Sequence, residues 1–194
     1  MYNLVNKHNN IWEWHSVLPD PNYVMILAKE YAWDQYTNKG GGETVVGIAT
    51  LVAQGSRLHP ILMKPFFKCI EDYCLGNGLE FDPETIGQHP IMLREYNPGS
   101  KMAAHNDMYS YLKKDGNHVK PLLTAILYIN DDYEGGQINF VHDGLCIAPK
   151  AGSMVVFPSH KQHEVLEILS GDRHMTQTYV YPKPISFYDE VSNG

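Results

Sequence analysis

The chain predicts a mainly β fold, a jelly roll or barrel with N-terminal helices packed on one of its sheets, and three observations lead there. From Pro90 onward, short runs ("IMLREY", "PLLTAILYIN", "GQINFV", "GLCIA", "GSMVVF", "EVLEIL" and "HMTQTYVY") are each bounded by Gly, Pro, Asn, Asp or Ser, the pattern of strands and turns. Before Pro90 the apolar spacing is helical in two places. Leu122 to Ile129 is apolar on both strand faces apart from Thr124 and Tyr128, which share a face, so one side meets the helices and the other lines the interior.

In chain order, Ile11 to Leu18 reads as extended. Asp20 then offers a side-chain acceptor to a helix N-terminus. Pro21 stands at the first helical position, where its missing N–H costs nothing, and the helix is expected to run to about Asp34. Lys39 to Thr44, "KGGGET", reads as a flexible loop, because consecutive glycines have the most backbone entropy to lose on ordering. Ile61, Leu62, Phe66, Cys69, Ile70 and Tyr73 give a second helix over Pro60 to Leu75, with Gly76 as its stop. The segment Met108 to Lys120, "MYSYLKKDGNHVK", has little apolar periodicity and reads as a mobile lid over a site. There is no internal repeat and no low-complexity tract.

Composition sets the bounds. At 194 residues and 43% hydrophobic content, one core and one domain over 1–194 are expected, with helical support over about 1–85 and the β core over about 88–182. A net charge of −7 disfavours nucleic acid as a partner, since phosphate backbones are held by clustered Lys and Arg. Cys69, Cys74 and Cys146 are odd in number and lack a Cys-x-x-Cys pair, so neither a disulfide framework nor a thiolate zinc site is indicated. The start carries no charged segment leading into an apolar run, and no 18 apolar residues stand together. A soluble, unprocessed, cytoplasmic protein without a membrane partner is expected.

The chemistry lies in three side chains in fixed order: His105 and Asp107 in "MAAHNDMY", then His163 in "HKQHEVLEIL". Two imidazoles and a carboxylate hold a divalent metal on one face and leave the other open, as in non-haem iron oxygenases. Residues two apart on a strand share a side, so His105 and Asp107 can grip one ion. With ten histidines and 22 acidic residues in the chain, that pair alone is within chance. Its context is not: "LREYNPGSKM" precedes it with a Pro98-Gly99 turn, and "TAILYIN" and "DDYEGGQINF" follow. Gly135 and Gly136 there permit a tight turn near a pocket, and "PKAGSMVVFPS" leads into the second histidine. Among rivals for the distal ligand, His160 stands in a loop and His174 has opposite strand parity to Arg173, whereas His163 opens an alternating strand. His142, His118, His89 and His59 have no acidic neighbour at ligand spacing and read as surface or core residues.

Arg173 follows the second histidine across "SGD". A three-residue hairpin loop at Ser170 to Asp172 would put His163 and Arg173 on one face of adjoining strands, roughly 20 Å apart. That span suits an imidazole, a metal, a five-carbon diacid and an arginine stem laid in line. The planar guanidinium would give two parallel charge-assisted bonds to a carboxylate. The plainer alternative is an exposed turn arginine paired with Asp172.

Taken together, these motifs resemble the Fe(II)- and 2-oxoglutarate-dependent dioxygenases, in their prolyl 4-hydroxylase-like branch, over roughly Pro90 to Tyr181. The resemblance implies a double-stranded β-helix core. It implies His105, Asp107 and His163 as iron ligands and Arg173 as partner of the distal carboxylate of 2-oxoglutarate, where many relatives carry Lys. Tyr128 and Tyr96 match tyrosines lining the co-substrate pocket in relatives, although a core tyrosine is more often simply packed. The implied reaction uses Fe(II), 2-oxoglutarate and O2, with ascorbate as a possible reductant. It hydroxylates an unactivated C–H bond and releases succinate and CO2. The implied partner is a peptide or protein containing proline, with Tyr109 and Tyr111 on the lid as packing surfaces for a polyproline II segment. Another protein side chain or a free amino acid stays open within the same chemistry. A non-catalytic cupin-like metal or ligand binder is a reading of another class, and so is an inactive oxygenase fold used as an interaction module. Arg173 argues for a diacid co-substrate, since a structural zinc site has no need of a distal guanidinium.

Overall fold

The computed structural model describes residues 2–40, 43–86, 91–109, 111–112 and 118–182, and the side chains of these other than 36–40, 43–46 and 111–112. Strands β1 (Asn3–His8) and β2 (Ile11–His15) form an antiparallel hairpin. Asn9 and Asn10 both take positive φ, 46° and 64°, as a two-residue turn between right-twisted strands demands. Helix α1 (Pro21–Ala28) starts as its residues dictate: Asp20 accepts from the Tyr23 amide at 3.0 Å and Pro21 fills the first position.

The helix expected to reach Asp34 ends at Ala28. There the Trp33 indole donates to the Ala28 carbonyl at 3.0 Å, capturing an acceptor that the next turn would have used. The chain then turns into β3 (Asp34–Gly40), which pairs with β4 (Glu43–Val52) up to Gly40 opposite Glu43. Most of the segment expected as a flexible loop is therefore strand. Lys39 pairs with Thr44, and only Gly41 and Gly42, outside the described residues, join the two. Helix α2 (Leu58–Gly76) covers the expected span, burying Leu58, Leu62, Phe66, Cys69, Ile70 and Tyr73 along one face. The Tyr73 hydroxyl donates to the Asn10 carbonyl at 2.9 Å and ties the helix to the first hairpin.

The β core follows as β5 (Ile91–Tyr96), β6 (Met102–His105), β7 (Tyr111–Leu112), β8 (His118–Val119), β9 (Leu123–Tyr128), β10 (Glu134–Gly135), β11 (Ile138–Phe140), β12 (Leu145–Ile147), β13 (Met154–Pro158), β14 (His163–Val165), β15 (Ile168–Ser170) and β16 (Arg173–Val180). A large antiparallel sheet runs β1-β2-β13-β9-β16-β5-β4-β3, and a smaller one β12-β11-β14-β6. The alternation along β9 sorts its side chains as the sequence predicts. Leu123, Ala125 and Leu127 join the helix-side core with Leu62, Phe66 and Ile70, while Ile126 and Tyr128 join the interior core with Phe140, Val155 and Phe157. The molecule is thus mainly β, a jelly roll with its two helices packed on one sheet. Among the described residues, no helix is long and apolar enough to cross a membrane.

One expected strand is two. "HEVLEIL" breaks after Val165, where the Leu166 amide donates to Gln137 O and the Ile168 amide to Ser100 O, carrying the chain from the small sheet to a short pairing with β10. His163 and Arg173 consequently do not share a hairpin. β14 pairs with β6 and β11, β16 with β5 and β9.

Candidate metal centre

The small sheet delivers the two imidazoles. His163 and His105 are directly paired across β14 and β6, with ring centroids 4.4 Å apart. Each ring is turned by its own neighbourhood. Nδ1 of His105 lies 2.8 Å from Ala103 O, and Nδ1 of His163 lies 3.1 Å from Lys161 O. A carbonyl only accepts, so Nδ1 carries the proton in both rings and Nε2 presents its lone pair. Phe140 and Phe157 pack against His163, at ring-centroid distances of 5.9 and 4.9 Å. Burial lowers the His163 pKa, the nearby Asp107 carboxylate opposes the shift and His105 adds to it, so the ring is held in the neutral form a metal needs.

Asp107 follows β6 and is fixed from the other sheet. Its amide donates to Ser159 O at 2.9 Å, and its Oδ2 accepts from the Thr124 hydroxyl at 2.9 Å. Asp107 Oδ1 is 3.7 Å from His105 Nε2, and Oδ2 is 3.8 Å from His163 Nε2. All three ligand atoms lie within 4.8 Å of one another. The gaps of 3.7 and 3.8 Å fall within the span of two metal–ligand bonds of about 2.0–2.2 Å each. The donor set of two imidazoles and one carboxylate fits a ferrous ion.

Arg173 reaches the same pocket from the large sheet. It is 4% exposed, so nearly the whole charged group is out of water. Its Nη1 donates to Gly136 O at 3.3 Å, and the guanidinium lies 5.3 Å from the Tyr96 ring and 5.7 Å from that of Tyr128. Its Nε is buried without a hydrogen-bond partner, an orphaned donor of the kind an anionic ligand satisfies. Asp172 does not pair with it: its Oδ1 accepts from Asn97 at 3.1 Å. Gly135 and Gly136 take φ of 80° and 66°, and a Cβ on Gly136 would stand 3.3 Å from Arg173 Cδ, so the tight turn beside the pocket is as expected.

Of the other expected site residues, Tyr96 lines the pocket, and Tyr128 is 1% exposed beneath Arg173, with burial pushing its hydroxyl pKa up. Tyr109 stands half exposed on the pocket wall. The side chain of Tyr111 and most of the expected lid lie outside the described residues; β7 and β8 pair at its ends. The rival histidines are elsewhere. His174 faces the outer side, bonded to Glu95 at 2.8 Å and edge-on to Trp33, and His142 meets Gln162. His160 is exposed, and His89 lies outside the described residues.

The structure adds residues that the sequence does not single out. Arg94, Gln177 and Tyr179 line the pocket, with Gln177 Nε2 donating to the Tyr179 hydroxyl at 2.5 Å. Strand parity could have found them: Arg94 is two residues before Tyr96, and Gln177 and Tyr179 are even steps from Arg173. Thr124 carries the same signal, an even step before Tyr128 on β9, whereas Ser159 beside Asp107 carries none.

Comparison with known proteins bears on this geometry. Residues 91–181 match the model of the 2OG-Fe(II) oxygenase superfamily. A PKHD-type hydroxylase of Sphingopyxis alaskensis is 26% identical over 95 residues, which are 47% of this chain and 43% of that protein; the chain thus matches less than half the length of this relative. Among solved structures, the viral collagen prolyl hydroxylase of Paramecium bursaria Chlorella virus-1, in complex with 2-oxoglutarate, superposes with a TM-score of 0.65 at 16% identity, covering 89% of this chain and 96% of its own. A prolyl hydroxylase of Trichoplax adhaerens, in complex with a hypoxia-inducible-factor peptide fragment, gives 0.60 at 15% identity, with 93% and 83% covered. At such identities these structures show the shared fold.

Proposed function

We propose that this chain, a 2OG-Fe(II) oxygenase of prolyl-hydroxylase-like kind, hydroxylates an unactivated C–H bond of a peptidyl proline and releases succinate and CO2. The observation that carries the reading is that His105, Asp107 and His163 converge in a pocket that Arg173 enters from the opposite sheet. A non-catalytic metal binder would have no use for that arginine.

In this reading His105, Asp107 and His163 would hold Fe(II), and Arg173, with Tyr96 and Tyr128, would take the distal carboxylate of 2-oxoglutarate. When bound, the metal and co-substrate supply the oxidising power drawn from O2, with ascorbate as reductant. The chain's own residues orient and exclude. Ala103 O and Lys161 O hold both Nδ1 protons away from the metal face, and Ile126, Val165, Ile168 and Met175 give the pocket apolar walls that keep water out. Tyr109 and Tyr111 would pack the proline-containing segment at the entrance.

A second reading keeps the chemistry and changes the substrate to another protein side chain or a free amino acid. The presence of Arg94 and Gln177 on the pocket wall favours it, since both would meet a polar group better than a proline ring. The chain is taken as one domain over 1–194 acting in the reducing cytoplasm, in keeping with three free cysteines.

Anaerobic loading with Fe(II) and 2-oxoglutarate, followed by air and mass spectrometry against proline-rich peptides, tests this. Succinate together with a gain of one oxygen on proline supports the full proposal. Succinate with oxidation of another residue selects the second reading. Turnover should vanish in His105→Ala and His163→Ala; undiminished turnover in both refutes the ligand assignment.

A further inference from the structure

Asp107 has two oxygens, and their surroundings differ. Oδ2 accepts from Thr124 Oγ1 at 2.9 Å and lies 3.8 Å from His163 Nε2, while Oδ1 lies 3.7 Å from His105 Nε2. Thr124 Oγ1 also lies 2.9 Å from Ser159 Oγ, and both residues are fully buried. The direction of these bonds follows from chemistry. An ionised carboxylate only accepts, so the Thr124 proton goes to Asp107, and the remaining bond needs Ser159 Oγ–H donating to Thr124. The loop closes through the backbone, where the Asp107 amide donates to Ser159 O at 2.9 Å. Thr124 lies on β9 opposite Phe157 on β13, so its hydroxyl is held by two central strands of the large sheet.

We infer that Thr124 is a positioning residue that fixes the rotation of the Asp107 carboxylate, so that its two oxygens stay turned toward the two imidazole nitrogens. The inference rests on the functional reading above. A charge-assisted bond from a buried hydroxyl stops the carboxylate from turning, and partners of this kind fix a ligand's orientation before the metal arrives.

The test uses Co(II), which reports its coordination number through visible absorption, titrated into the metal-free full chain with and without 2-oxoglutarate. Thr124→Val keeps the shape and removes the hydroxyl. It should bind Co(II) about 10- to 100-fold more weakly and alter the Co(II) spectrum of the keto-acid complex. Thr124→Ser, which restores the donor, should return both to wild type. Should Thr124→Val not fold, as judged by near-ultraviolet circular dichroism, Thr124→Ala carries the same expectation. Wild-type affinity and spectrum in the hydroxyl-less variant would overturn the inference alone. Failure of the wild-type chain to bind Co(II), or binding that survives His105→Ala, would overturn the functional reading and the inference with it.

Discussion

Arg173 enters the pocket from the large sheet with its charged group beside the rings of Tyr96 and Tyr128. Its guanidinium is buried with Nε unsatisfied, so a carboxylate arriving there gains charge-assisted bonds of roughly 1.5–3 kcal/mol, and Arg173→Ala should raise the 2-oxoglutarate concentration needed for half-maximal turnover roughly 10- to 100-fold. Co(II) affinity in the same variant should stay at the wild-type value; equal loss of both would contradict the role. Gly136 gives a second test. Its φ of 66° disfavours a side chain by about 1–2 kcal/mol, and a new Cβ would press on Arg173 Cδ, Ile168 Cγ1 and Tyr133 Cε2 at 3.1–3.3 Å. Gly136→Ala should therefore weaken co-substrate use by displacing the arginine, read as a raised KM for 2-oxoglutarate in steady-state assays with unchanged Co(II) binding. The convergence of His105, Asp107, His163 and Arg173 was legible because their order and spacing mark them one by one. The bond from Thr124 to Asp107 was not, since strand parity gives the face of Thr124 but a partner 17 residues away leaves no local pattern.

At the level of elements, legibility follows from whether local pattern or long-range pairing decides. Helix α2 has its apolar face written at helical spacing and forms where expected, and β5 matches "IMLREY" residue for residue. The β3–β4 hairpin overlaps the expected helix only at Asp34 and the expected loop only at its tip, and its strands are defined by pairing with one another and with β5 rather than by strict alternation. The split of β14 from β15 was hidden for the same reason: the amide bonds from Leu166 to Gln137 and from Ile168 to Ser100 involve partners 29 and 68 residues away. Because α2 packs in the helix-side core, apart from the interior core beside the metal site, the two should be separable. Phe66→Ala, at a fully buried position, should cost about 3–5 kcal/mol in urea unfolding while leaving Co(II) affinity unchanged. Thiol labelling of the native chain should likewise modify exposed Cys146 and spare Cys69 and Cys74, buried in α2 with their thiol pKa values raised chiefly by burial; labelling of all three at one rate would show that the helix does not hold its place.

Across the whole molecule, the site is the place where two sheets meet. His105 and His163 belong to the small sheet, while Asp107 is moored by Thr124 of β9 and Ser159 just beyond β13, both tied to the large one. An ion gripping all three would act as a cross-link between layers that otherwise share the packing of Phe140, Phe157, Ile126 and Ile138. Binding to the native state alone stabilises by mass action, about 2.7 kcal/mol at a metal concentration 100 times Kd, which for a chain of this length raises Tm by roughly 5–10 °C. Chelator should reverse the shift, and scanning calorimetry of His163→Ala should show none. A shift that survives in that variant would place the stabilising ion elsewhere. A shift seen in the wild type but halved or lost in Thr124→Val, with the metal-free Tm little changed, would show that the second sheet is coupled to the ion through the hydroxyl of that threonine rather than through apolar packing alone.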